Sequence, residues 1–119
     1  QTCSSLERVW RAEERSFGCV LGGGCDRKTL EAVSGILTLA HESWHLRGVR
    51  DEARTQCFAV QTTEQVARGL GISDVQARMI ALRVAADDAR APLGEYHSPE
   101  CRPGGAYDLR PETPDWPSG

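Results

Sequence analysis

The chain has 119 residues, of which 39% are hydrophobic and 26% charged, enough for one folded domain with one modest core. No apolar run approaches the roughly 18 residues that a membrane span needs. A net charge of −3 without a basic stripe argues against a phosphate-binding surface, and Gly22-Gly23-Gly24 lacks the Lys-Ser/Thr that follows a P-loop. Nucleic acid and nucleotide are thereby set aside as partners, and no membrane span is expected.

Ser4 and Glu7 have the spacing of a capping box, and Leu6, Val9 and Trp10 give the following residues one apolar face ending near Arg15. Cys19 to Cys25 contains three consecutive glycines and is expected to be a tight loop or small hairpin rather than helix. A helix then starts near Asp26, a plausible N-cap, and runs to about Arg47. Its apolar positions Leu30, Val33, Leu37, Ala40 and Trp44 recur at helical spacing, and Gly48 supplies the C-terminal stop. The next helix is expected from about Asp51 to Arg68, with Ala53, Cys57, Val60, Glu64 and Ala67 along one side and Gly69 and Gly71 ending it. Ser73 and Gln76 open a further helix through roughly Arg90, with Val75, Met79, Leu82 and Ala86 expected inside.

From Pro92 onward six prolines and several glycines forbid regular structure over most of the segment. The expected architecture is mainly α, a compact bundle of about four helices with an irregular Pro/Gly-rich C-terminal wrap and little or no β. Residues 1–109 would form a single helical metal-site domain, and residues 110–119 a Pro-rich tail that either wraps the helices or is disordered.

The chemistry concentrates in His41-Glu42-Ser43-Trp44-His45. Residues four apart on a helix share a face, so His41 and His45 can bind one metal ion. Glu42 lies beside them, where a carboxylate can take a proton from metal-bound water. The chain has three histidines, and two of them fall at this spacing. A tetrahedral zinc site needs a third protein ligand and an open position. Asp51 and Glu52 lie just past the Gly48 turn, which can fold the third helix back and bring Glu52 over the histidine pair. Gln56, one turn later, can hydrogen-bond a histidine ring nitrogen.

His41-Glu42-x-x-His45 followed by Glu52-x-x-x-Gln56 resembles the gluzincin class of zinc metallopeptidases. The resemblance implies His41, His45 and Glu52 as zinc ligands, Glu42 as general base, and a peptide or protein substrate. The stretch from Leu39 to Gln61 also resembles poorly characterised extracytoplasmic bacterial proteins carrying the same motif. The interval from His45 to Glu52 is short for a gluzincin, and Gln56 stands where an acid is more usual. Only Phe17 to Cys25 is available as a strand along which a peptide could lie. Tyr96 and His97, in Gly94-Glu95-Tyr96-His97-Ser98, are the candidate donors to a reaction oxyanion. The reading that competes with hydrolysis is a non-catalytic binding module in which the same residues hold a structural or vestigial zinc.

Five cysteines in so short a chain suit an oxidising, extracytoplasmic compartment, and a start at Gln1 fits removal of an upstream signal or anchor. Cys19 and Cys25 flank a loop that could close on itself. Cys57 and Cys101 could tie the wrap to the helix carrying Glu52, with Cys3 an alternative partner for either. Pro99-Glu100-Cys101-Arg102-Pro103-Gly104 resembles in outline the cysteine switch of some zymogens, in which a thiolate blocks zinc; a disulfide at Cys101 is the competing expectation.

Overall fold

A computed structural model describes residues 19–22 and 24–117. The capping box at Ser4 and the helix expected after it lie outside the described residues, as does Cys3. Four helical elements follow in chain order: α1 (Cys19–Gly22), α2 (Arg27–Leu46), α3 (Glu52–Gly69) and α4 (Asp74–Ala89). Among the described residues there is no strand beyond one isolated bridge between Gly94 and His97. Among the described residues no helix is long and apolar enough to cross a membrane.

Three of the helices begin with the same device. The side chains of Asp26, Asp51 and Ser73 each accept a hydrogen bond from the backbone N–H three residues on, at Thr29, Arg54 and Gln76. Each such cap satisfies an otherwise orphaned donor and contributes about 1 kcal/mol. The glycine stops are equally specific. At the end of α2, Gly48 N–H donates to the His45 carbonyl and Val49 N–H to that of Trp44, while Gly48 takes φ +100°. That pattern is a Schellman motif, and it turns the chain sharply into α3. Gly71 and Ile72 repeat it at the end of α3, on the carbonyls of Arg68 and Ala67.

The core lies where α2, α3 and α4 meet, around Ile36, Val60, Ile80, Val20, Ile72 and Val84. Ile36 and Ile80 are fully buried, each adding about 1.5–3 kcal/mol of transfer free energy. The five positions expected on the inner side of α3 are all buried. On α2, Val33 and Ala40 are buried, Leu37 and Trp44 are half-buried, and Leu30 lies mostly outside the core.

Two expectations are corrected. Cys19–Gly22 forms one helical turn instead of the expected tight loop or small hairpin. Its glycines come late enough for Cys19, Val20 and Leu21 to start the turn. The Cys19–Cys25 disulfide then closes it, and Arg83 Nη1 donates to the Val20 carbonyl at 2.8 Å. On α4 the inward face is Ala77, Ile80, Ala81 and Val84, with Val75 exposed and Met79, Leu82 and Ala86 only half-buried. Apolar residues run most of the way round this helix, so periodicity leaves its rotation undecided. Small Ala77 and Ala81 set it by admitting close approach.

The C-terminal segment wraps the bundle. The buried amide of Gln61 donates from Nε2 to the carbonyls of Tyr107 and Cys57, and its Oε1 accepts from Leu109 N–H at 2.7 Å. A Cys57–Cys101 disulfide ties the same segment to α3. Further on, Arg78 of α4, paired with Glu64, also donates to the Trp116 carbonyl, and Pro117 is buried. Because Cys101 is bonded to Cys57, no thiolate is available there and the cysteine switch is excluded. The two disulfides suit an oxidising environment.

Candidate metal centre

α2 delivers His41 and His45 one turn apart, and the Schellman turn at Gly48 returns the chain so that the first residue of α3, Glu52, meets them. His41 Nε2 and His45 Nε2 lie 3.0 Å apart, and Glu52 Oε1 is 3.0 Å from the first and 2.9 Å from the second. These three residues form the one group among the described residues able to hold a metal ion. Asp51, the other acidic candidate in the turn, is used as the cap of α3.

The opposite edges of both rings are also fixed. His45 Nδ1 donates to the Val49 carbonyl at 2.7 Å, and His41 Nδ1 is 2.7 Å from the Gln56 Oε1 acceptor. With the proton held on Nδ1, each neutral imidazole directs an Nε2 lone pair at the Glu52 oxygen. Three acceptor atoms facing one another at about 3 Å repel unless a cation sits among them, either a proton or a metal ion. Adjacent ligands of a tetrahedral zinc, with bonds of about 2.0–2.1 Å, lie about 3.3 Å apart, so the donor set fits such an ion with little movement. Side-chain exposures of 14% for His41, 26% for His45 and 29% for Glu52 show that one side of the group faces solvent, as an open coordination position requires.

The electrostatics agree with a cation-seeking site. The Val49 carbonyl raises the His45 imidazole above its ordinary value; burial opposes this, and the carboxylates of Glu52 and Glu42 reinforce it. Burial alone would push the Glu52 carboxyl up, but contact with His45 and His41 outweighs it and leaves the group below its ordinary value. Tyr96 is raised, first by the charge on Glu52, then by Glu95, burial and Glu42.

Glu42 is exposed on α2, and its charge reaches both His45 and Tyr96. Tyr96 and His97 take different positions. The Gly94–His97 bridge makes a tight turn with Tyr96 near its tip, the phenol ring centred 6.2 Å from that of His41. Tyr96, His41 and Gln56 help to line a cleft of about 290 Å³. His97 turns inward to Asp88 of α4, its Nδ1 3.4 Å from Asp88 Oδ2, both side chains 10% exposed.

The residues that sequence reasoning missed are Val49 and Asp88. Val49 acts through its backbone, although its position just after the Gly48 stop was a readable signal. Asp88 carries no local motif.

No protein-family model, no curated protein and no solved structure matches this chain.

Proposed function

We propose that this chain is a small extracytoplasmic zinc-dependent hydrolase of the metallopeptidase type, with His41, His45 and Glu52 as ligands and Glu42 as general base. The observation that carries the reading is the convergence of three lone-pair atoms within about 3 Å on a solvent-facing side of the domain. Both imidazoles are oriented from behind, by Gln56 and Val49. A purely structural site is usually closed by four protein ligands, whereas three and an open side suit catalysis.

When bound, zinc would supply an acidified water and a Lewis acid for the scissile carbonyl. The chain's own groups would do the rest. Glu42 follows His41 on α2, its charge reaches His45 and Tyr96, and its carboxylate would accept the proton of the attacking water. Tyr96, whose ring faces that of His41, would donate its phenolic O–H to the developing oxyanion. His97, turned toward Asp88, would act through the placement of the Tyr96 turn. Gln56 and the Val49 carbonyl would hold the rings of His41 and His45 in register. The two disulfides support an extracytoplasmic setting.

The test is elemental analysis of the purified protein with peptide hydrolysis measured in parallel. The expected result is about one zinc per chain, lost in a His41→Ala, His45→Ala double variant. Glu42→Gln should retain the zinc and lose about 10²–10⁴-fold in turnover. Zinc in the wild type with no hydrolysis of any peptide would favour the non-catalytic binding module. No zinc after add-back would remove both readings.

A further inference from the structure

Next to the metal-ligand cleft lies a second hollow, of about 310 Å³, between α1, α2 and α4. The two share Ser34, Leu37 and Gln56 as walls, and Gln56 is also the residue that accepts from His41. The hollow therefore continues directly from the candidate metal centre. Much of its lining is aliphatic, with Val33, Leu37 and Val84 at its sides. An apolar cavity of about 150 Å³ is enough to take a six-carbon ring, so an alkyl chain of similar length fits this one.

Charge is distributed unevenly along its wall. Arg83 is satisfied, pairing with Asp87 at 3.0 Å and donating to the Val20 carbonyl. Asp88 is paired more loosely: its side chain is nine-tenths buried, and its Oδ2 faces His97 Nδ1 at 3.4 Å, too far for the ring nitrogen to complete a hydrogen bond. A buried carboxylate on the wall of an apolar hollow, with acceptor capacity to spare, matches a cationic or N–H-bearing ligand end.

We propose that this hollow receives a linear aliphatic side chain ending in an amine, of the lysine type, its stem against Val33, Leu37 and Val84 and its ammonium on Asp88. Calling that occupant part of a substrate rests on the hydrolase reading; binding of the amine itself does not. The substrate class that follows is a peptide with a long, amine-tipped residue next to the amide at His41.

The probes are n-hexylamine and 1-hexanol, titrated into the full chain and followed by nuclear magnetic resonance shifts and calorimetry, with and without added zinc. The expected result is hexylamine at least tenfold tighter than hexanol, with the largest shifts at the methyls of Leu37 and Val84. Asp88→Asn should abolish that preference while leaving hexanol binding intact. Val84→Phe, checked for folding by circular dichroism, should weaken both ligands about tenfold or more. The His41→Ala, His45→Ala variant should keep the full preference for the amine, which separates the pocket from the metal chemistry. Equal affinities for the two probes, or a preference that persists in Asp88→Asn, would overturn the proposal. Zinc binding and peptide hydrolysis without amine binding would sink the pocket alone, and amine binding without hydrolysis would sink the hydrolase reading alone.

Discussion

Val49 and His45 are joined by a hydrogen bond from the ring Nδ1 to the backbone carbonyl, 2.7 Å long, across the turn that ends α2. The contact links helix termination to ligand chemistry. The same turn that satisfies the last carbonyls of α2 presents the carbonyl of Val49 to the imidazole, fixing which nitrogen keeps its proton.

Gly48→Ala should therefore harm the metal centre although its side chain would meet nothing within 4 Å. With φ at +100°, any β-carbon is strained, at a cost of about 1–2 kcal/mol. Thermal unfolding should register that loss, and zinc titration should show affinity falling at least tenfold as Val49 and Glu52 shift. Unchanged affinity beside lowered stability would mean that the turn does not set the ligand geometry.

Gln56→Leu removes the acceptor behind His41 while keeping a side chain of similar size. Metal affinity is expected to drop about 10–100-fold, the usual consequence of losing such a partner. Gln56→Glu should restore most of it. Competition with a chromophoric chelator measures both, and equal affinity in all three proteins would refute the orienting role.

Gln61→Leu should destabilise the domain by about 2–4 kcal/mol. Its amide serves Tyr107, Cys57 and Leu109, and removing it leaves buried backbone groups without partners. Urea denaturation reads the loss, and amide exchange at Leu109 should rise with it.

Reducing Cys57–Cys101 opens a loop of sequence separation 44. Chain-entropy reasoning puts the stabilisation at about 4 kcal/mol at most. A Cys57→Ala, Cys101→Ala variant should lose about 2–4 kcal/mol. Circular dichroism should still report the helices, because their caps and the α2–α4 core do not depend on the bond.

Asp88 gives a pH signature. Burial raises its carboxyl above the ordinary value, with the neighbouring His97 opposing in part. A raised carboxyl binds its proton more tightly folded than unfolded, so its contribution to stability is greatest below the ordinary aspartate range. That contribution is lost as pH rises through the folded value. Asp88→Asn should thus gain stability relative to the wild type on going from pH 3 to pH 7. Parallel stability curves for the two proteins would show that Asp88 titrates as it does in the unfolded chain.

Much of this was legible in the residues themselves. Asp26, Asp51 and Ser73 are local signals whose hydrogen bonds span three residues, so the helix starts could be read without knowing the fold. The His41/His45 pair and the short route through Gly48 to Glu52 were equally local. Two things were not. The rotation of α4 depends on which of several apolar faces meets α3, a packing choice made by Ala77 and Ala81. The attachment of Tyr107 and Leu109 to Gln61 joins residues far apart in sequence, and the pairing of Asp88 with His97 depends on how the turn after α4 folds back, so no spacing rule connects either.

The five residues from Arg47 to Asp51 have a bearing on how this chain can diverge. Surface connections are ordinarily where proteins accept insertions. Here one added residue would break the Gly48–Val49 hydrogen bonds or move the start of α3, and each residue of slip along a helix turns a side chain by about 100°. Glu52 would then leave the histidines while the hydrophobic core survived. Variants of altered length at this corner are expected to fold and to lose metal, so conservation of loop length among relatives would itself report retention of the site.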